Sequence, residues 1–511
     1  MSRHDTLPAD IPVLIIGGGP VGITFALLLA EHGIKSLVVE KTDALPTTPR
    51  AHVLRKRTMD IFDRLGVADA VFAAVPDMPI RFINWVSQLN GAEIGQLDMA
   101  RTSFSDGGAN LPQNLLCPVL LDKILESDLA GIATHTECLS IAMEADGATA
   151  QLHSGGTTHT VRTQWVIAAD GANSPTRDAL GIAMEGPDDL AQFYMVHLKA
   201  DLTQWVAHRP GPLFWILNPD AGGTLIVHEL EKSHVFMIPH RGGDLDKADL
   251  TAHIHGSFGD GVDFEILDYG RWTMRSQIAQ TYRAGRAFLV GDAAHRFPPT
   301  GGLGLNTGIM DAYNLAWKLA LVEKGLADDA LLNSYEMECR SVAATNAEAS
   351  LHNMMTMSEV NQAIGPFKTL ADLDARIAHF SDADRARLQQ AIDNQASHFT
   401  SDGIYPGTWM GEPHHNIAAP GRYGAFKVLM GAPPKWARPV AALEKTHTIR
   451  IEMYPFLQAT DPDGYLNGKG AVLLRPDDQV AWAGDDPAEL GAALATVLAG
   501  PGADVAAVSA A

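Results

Sequence analysis

Five stretches of the chain carry a clear hydrophobic pattern. The first, "VLIIGGGPVGITFALLLAEHGIKSLVVEK", sets an unbroken apolar run from Val13 to Ile16 before a glycine turn. Such a run suits a central parallel strand, buried on both faces. A helix pattern follows from Val21 to about His32, then the strand "SLVVE" ending at Glu40. The second pattern, "WVIAADGANSPTRDALGI", is a strand that ends at Asp170-Gly171 and turns into helix through Ser174 and Arg177. In the third, a strand from Arg286 to Val290 delivers Gly291-Asp292, a loop "PPTGGLGLNTG" and an amphipathic helix from about Leu305 to Leu321. Between them, from about Phe193 to Tyr269, short alternating stretches such as "FWILNP", "GTLIVHEL" and "HVFMIPH" predict a separate β-sheet. After about residue 400, "AFKVLMG", "PPKWARPVAALEK", "TIRIEMY" and "GAVLLRPDDQVAWAG" read as a small βαβ-type unit with a terminal helix. The alternation of strand and helix makes this an α/β protein.

Composition narrows the function. A length of 511 residues implies two or three domains. A formal charge of -22 repels phosphate backbones and argues against nucleic acid as a partner. Positive charge is concentrated at Arg50, Arg55, Lys56 and Arg57. Cys117, Cys138 and Cys339 are far apart and form no CxxC pair, which fits a reducing compartment and a cytoplasmic protein. The apolar run near the start is broken by glycines before signal-peptide or membrane-span length. His253 with His255, and His414 with His415, lack a matched third ligand, so no metal is expected.

Gly17, Gly19 and Gly22 match G-x-G-x-x-G, with Pro20 at the helix start. The first glycine permits the turn, the second admits a pyrophosphate to the backbone, and the third lets helix pack on strand. Glu40 stands 18 residues after Gly22, where a carboxylate accepts hydrogen bonds from ribose hydroxyls. It disfavours a 2′-phosphate, so NAD or FAD suits this half-site and NADP does not. The distant Asp292 turn extends the reading to FAD. Asp292 can accept from ribityl hydroxyls, and the loop through Pro299, Gly302, Gly304, Leu305 and Asn306 can offer N–H groups to a flavin at a helix N-terminus.

The motifs "GDAAH", "PP", "GG" and "G-NTGIMDAYNLAWKLA" resemble the flavin signature of the class A FAD-dependent aromatic monooxygenases. Asp170-Gly171 resembles that family's Asp-Gly fingerprint, which lies near the FAD pyrophosphate and is associated with nicotinamide binding. "PRAH…RTM" is similar to the phenol-type branch that includes 2-hydroxybiphenyl 3-monooxygenase and 2,4-dichlorophenol hydroxylase. The resemblance implies a Rossmann-like FAD-binding domain of the p-hydroxybenzoate hydroxylase type over residues 1–80, 106–190 and 276–398. It implies an inserted β-sheet substrate domain over 81–105 and 191–275, and a thioredoxin-like C-terminal domain over 399–511 without redox cysteines.

Carried over residue by residue, the resemblance implies that Lys41 replaces the common arginine after the ribose acid and that Arg50 faces the FAD pyrophosphate. It places Gln113 against the cofactor and His52 near substrate and flavin, as base or hydrogen-bond partner of a phenol. Cys117 stands where glutamate is usual, Asn110 where the branch can carry aspartate, and Leu303 where glutamine is frequent. His295 reads as a packing or capping histidine rather than a base. The inward residues of the sheet are expected among Trp215, His228, Met237 and Trp272, lining a roomy apolar pocket.

The implied activity is hydroxylation of a phenolic ring with O2 and NADH or NADPH through a flavin C4a-hydroperoxide. NAD(P)H binds transiently, since no second complete nucleotide motif is present. A homodimer is compatible with the resemblance, although the segment "EPHHNIAAPGRYGAFKVL" is shorter than usual. Two rivals stand: a same-scaffold flavoenzyme of another reaction type (epoxidase, Baeyer–Villiger-type oxygenase or reductase), and a partner-binding protein of this fold that has lost FAD.

Overall fold

The computed structural model describes residues 7–78, 80–101, 107–400, 424–459, 461 and 464–502. His414, His415 and the segment that joins the C-terminal unit lie outside these residues.

The centre is an eight-stranded sheet. Its spine runs Arg283–Ala284, Ala287–Leu289, Thr157–Ala168, Asp10–Ile16, Ser36–Val39, Ala130–Ala133, and the antiparallel strands Thr136–Glu144 and Gly147–Ser154 add to Thr157–Ala168. The apolar Val13–Ile16 run sits in the middle with parallel neighbours on both sides, and Val13, Leu14 and Ile15 are fully buried. Helices Pro20–Glu31 and Gly304–Glu323 pack on each other over this sheet, each starting one residue before its sequence pattern does.

The register positions the site. Ile16 pairs with both Ala168 and Val39, and Ala168 pairs with Leu289. All three glycine-bearing turns, and Glu40, therefore leave one carboxyl edge side by side. In an open α/β sheet, that edge is where ligands bind.

A second, seven-stranded sheet has the order Glu265–Met274, Ala191–Lys199, Ser233–Pro239, Gly223–Glu229, Leu213–Ile216, Phe82–Val86, Glu93–Asp98. Alternate residues Val196, Leu198, Leu225, Phe236 and Ile238 pack with Leu250, Ile254 and Phe258 of helix Lys247–Phe258. Its two outermost strands at one edge come from residues 82–98, so this sheet joins pieces more than a hundred residues apart. The two-stranded ladder Val53–Leu54 with Ala109–Asn110 sets His52 and Asn110 side by side.

The C-terminal unit pairs Phe426–Met430 in parallel with Ile451–Pro455 across helix Pro433–His447, then adds antiparallel Ala471–Leu474 and Val480–Gly484 before helix Pro487–Ala499. Its core is continuous with Trp317, Leu321 and Leu331 of the first unit.

Candidate active site

At the first turn, two glycines are required by the chain itself. Gly17 has φ +111°, and a Cβ there would lie 2.2 Å from the Ala169 carbonyl oxygen. A Cβ on Gly22 would lie 2.1 Å from the Gly17 oxygen. Gly19 is different: a Cβ there meets nothing within 4 Å. Packing does not explain that glycine; space kept open for a ligand does. Gly19 is the N-cap of the helix beginning at Pro20 and offers no side-chain cap, so the first helical N–H groups remain available to an anion. Glu40 closes the pocket: Oε2 accepts from the Gly18 N–H at 2.8 Å, and Oε1 from the Thr42 N–H at 2.9 Å. Oε1 also accepts from Thr42 Oγ1 at 2.8 Å, which leaves Oε2 with a second lone pair for a ribose hydroxyl. Lys41 is exposed beside it.

The second turn is built from behind. Asp311, 1% exposed, accepts from the Gly291 N–H at 2.9 Å and pairs with His295 Nε2 at 2.8 Å. His295 stacks on Phe297, so it is a packing histidine that braces the loop. Asp292, on the outer side of the same 3₁₀ turn, is exposed into the cleft. The protein atoms crowding it push its carboxyl above the ordinary range, with His295, Arg296 and Arg50 opposing. Gly302 (φ +63°) closes a turn onto the Pro299 carbonyl and packs so tightly that a Cβ would sit 2.9 Å from Val53. A Cβ at Gly304, the first residue of its helix, meets nothing. Leu305 is half-buried next to it.

Asn306 has another use. Its Oδ1 accepts from the Arg55 N–H at 2.9 Å and Thr58 Oγ1 at 2.7 Å, and its Nδ2 donates to the Val53 and Gly302 carbonyls. This side chain ties the glycine loop to the His52 segment, leaving its backbone for a ligand. Asp170 is similarly engaged: it accepts from Ser174 Oγ and from the Thr176 N–H at 3.0 Å, capping helix Pro175–Ala179. Gly171 follows at φ +84° with open space around it. The buried Arg177 donates to the Ala172 carbonyl and to that of Ala293, joining the Asp170 turn to the Asp292 turn.

Charge converges between these turns. Arg50 is exposed, yet close enough to act on both Asp292 and Cys117, and Glu40 also acts on Cys117. Cys117 is fully buried; burial pushes its thiol up to about 12 despite the Gln113 hydrogen bond, so it stays protonated. Gln113 begins its helix with its N–H bonded to the Ala51 carbonyl at 3.0 Å.

On the far side of that segment, the half-buried His52 places Nδ1 2.5 Å from Asn110 Oδ1. An Nδ1 proton donated to Asn110 leaves Nε2 as an acceptor. Burial lowers the imidazole's proton affinity, with Asn110 opposing, so His52 is neutral at pH 7. The sheet opposite contributes His228, whose ring lies 5.1 Å from that of His52 in an edge-on contact. Met237 is buried in the sheet, whereas Trp215 and Trp272 are half-buried, the first with the hydrophobic cluster of the 360–399 helices and the second against Phe193.

Known proteins decide the family. A model of the FAD binding domain matches residues 10–350, and a model of the aromatic-ring hydroxylase C-terminal region matches residues 408–501. The 2,4-dichlorophenol 6-monooxygenase of Cupriavidus pinatubonensis is 31% identical over 78% of this chain and 72% of its own length. The chain belongs to the FAD-dependent aromatic-ring hydroxylases. A second member, the tetracenomycin A2 monooxygenase-dioxygenase of Streptomyces glaucescens, is 30% identical over 96% of this chain and 97% of its own. The structure of the flavin-dependent monooxygenase PieE in complex with FAD and substrate superposes with a TM-score of 0.85 at 28% identity, covering 96% of this chain and 100% of that one.

The residues of this hydroxylase fit the cofactor on their own evidence: two glycines that packing leaves open, two uncapped helix N-termini, and a carboxylate at each end of the cleft. Among the described residues, no group of three His, Cys, Asp or Glu could hold a metal, and no helix is long and apolar enough to cross a membrane. One contributor was not picked out from the sequence, and another was given a different meaning. Asp311 had a signal, an acid on the buried face of an apolar helix. Asn110 was read as a missing acid, while the structure gives its amide a role as partner of His52.

Proposed function

We propose that this hydroxylase inserts oxygen into a phenolic ring and that His52 takes the phenol proton. The observation that carries this reading is the His52–Asn110 pair: a neutral imidazole, held by its Nδ1, half-buried beside the flavin loop that Asn306 and Gly302 pack against the same segment. FAD, when bound, accepts two electrons from NAD(P)H and supplies reduced flavin to O2. The chain would hold it through the backbone at Gly17, Gly19, Pro20 and Gly22, through Glu40 on ribose, and through Asp292 on the ribityl chain. Arg50 would offset pyrophosphate charge, with Lys41, Gln113, Asp170 and Gly171 lining the approach. Backbone at Pro299, Gly302, Gly304, Leu305 and Asn306 would face the flavin ring.

His52 Nε2 removes the hydroxyl proton: the phenol O–H bond breaks, an N–H bond forms, and the ring gains the electron density an electrophilic oxygen requires. The facing sheet excludes water from that encounter. With no second G-x-G-x-x-G in the chain, the nicotinamide cofactor is a transient co-substrate. We assign the enzyme to the cytoplasm, and its working form to a homodimer.

Turnover of a phenol panel under ¹⁸O2 tests the reaction; product without label overturns it. His52→Ala tests the base. Loss of general-base catalysis lowers turnover by about 10²–10⁴-fold. Wild-type activity rises as pH climbs through the lowered His52 value and is level at neutrality. In the variant the phenol must ionise by itself, near pH ~10, so the profile moves up. Flavin content stays unchanged. A wild-type profile in His52→Ala removes the assignment.

A further inference from the structure

His228 is the most under-used polar side chain of the substrate sheet. It is 2% exposed, and neither ring nitrogen has a hydrogen-bond partner. A neutral imidazole carries one donor and one acceptor, and leaving such groups buried and unmet is costly. Its neighbours show that the sheet can satisfy histidines: His234 Nε2 meets the Ala200 carbonyl at 2.9 Å, and His197 Nε2 meets Ser233 Oγ at 3.1 Å.

The backbone around His228 is also irregular. Val227 pairs with His234 and Glu229 with Ser233, so His228 is left out of the ladder at a bulge. Bulges re-aim side chains and recur next to active sites. Here the side chain reaches His52, with ring centroids 5.1 Å apart and planes at 78°. That separation lies within the roughly 6 Å over which an aromatic face stabilises a cation.

We propose that His228 is a positioning residue for proton removal: it stays uncharged behind His52 and stabilises the imidazolium that forms when His52 takes the substrate proton. The inference rests on His52 being the base. The step moves one proton, from phenol oxygen to His52 Nε2, with no oxidant or reductant. His52 then holds two N–H groups and a positive charge in a site with little water. Asn110 Oδ1 receives one N–H. The neutral ring of His228, with its centroid 5.1 Å away and its plane steeply inclined to that of His52, lies beside that charge and can receive part of the rest. His228 can do so only while neutral; its burial, and the nearby ionisable groups His52, His234 and His197, hold it in that form. Asp268 and Asp201 act on His197 and His234, one step further out.

The test reads ionisation of a bound phenol, independent of turnover. Holoenzyme is mixed with 4-nitrophenol, and phenolate absorbance is followed against pH in difference spectra. His228→Leu, similar in size but lacking face and nitrogen, should raise the apparent pKa of the bound phenol by about one unit, a tenfold loss in the proton-transfer equilibrium. His228→Gln, which keeps an acceptor, should recover most of it. In a His52→Ala background, His228→Leu should change nothing further.

An equal shift with and without His52, or no shift in His228→Leu of normal flavin content, overturns the proposal. So does 4-nitrophenol that shows no depressed pKa on wild-type enzyme. If His228→Leu fails to retain flavin, the Gln variant decides: a wild-type titration supports the acceptor role, and a leucine-like shift refutes it. The oxygen-label experiment is separate, so failure here leaves the hydroxylase reading standing.

Discussion

Two buried polar regions of this molecule follow opposite rules. In the cofactor cleft, groups are left unmet: Gly19 and Gly304 face empty space, both helix N-termini are uncapped, and Asp292 reaches outward. Where the C-terminal unit meets the first, buried charges are paired. Arg475 forks between Glu338 (2.5 Å) and Asp477 (2.6 Å), and Lys318 adds to Glu338 at 2.6 Å. One residue on, Asp478 takes Lys427 at 2.7 Å and Arg64 at 2.5 Å. Burial pushes the Glu338 carboxyl up, but Arg475 and Lys318 overcome it and hold it down to about 2. The difference separates two purposes. A region that joins parts of the fold completes its own hydrogen bonds, and one that awaits a ligand leaves them open.

The comparison is broken most severely by Glu338→Leu. This leaves Arg475 with Asp477 and the buried Lys318 with only the neutral Asn314 amide in direct contact, a loss of about 3–5 kcal/mol in urea unfolding. Replacing Glu338 and Arg475 together should cost less than the two single changes summed. Gly19→Ala should do the reverse of Glu338→Leu. Ultrafiltration should show flavin held about ten- to a hundredfold more weakly, the worth of one or two charge-assisted bonds, while the flavin-free protein unfolds within about 0.5 kcal/mol of wild type. Equal damage to both properties would erase the distinction.

Acid should next find two buried histidines that belong to neither region. Burial lowers His234 to about 4 and His32 to about 3. Their folded values lie below the unfolded 6.5, so their contribution is complete above pH 6.5 and is lost as pH falls through it. Each should remove about 1.4 kcal/mol per pH unit below that point. Glu338 does not contribute in this window, because its own loss begins below the carboxylate range. Urea midpoints at pH 7.5 and 5.5 measure the slope. Smallest of all, Lys56→Ala deletes an exposed pair with Asp60 and should change stability by about 0.3–0.5 kcal/mol at most.

What was legible in the sequence was local. The spacing of Gly17, Gly19 and Gly22, the acid at Glu40, and the strand–loop–helix around Asp292 each lie within a few dozen residues, and the structure sets all of them on one sheet edge. The α/β character, the separate sheet and the small C-terminal unit followed from the patterns of strand and helix. The rest depends on contacts that sequence spacing does not encode. His52 meets His228 across 176 positions, and Glu338 meets Arg475 across 137. Arg475, Asp477 and Asp478 carry no local signal of burial, yet all three are buried. Asn306 is expected from the sequence to meet the cofactor through its backbone; that its side chain also holds two protein segments together is a contact the spacing does not encode.

The shared carboxyl edge also dictates an order of events on the ribosome. The glycine turn and Glu40, proposed for the adenylate half, have emerged by residue 40, while Asp292 arrives some 250 residues later. At about 5–20 residues per second, that lag is roughly 10 to 50 s. A nascent chain thus spends about half of its synthesis with half a grip, and the vitamin-derived end of the coenzyme can be clasped only once more than half of the 511 residues are made.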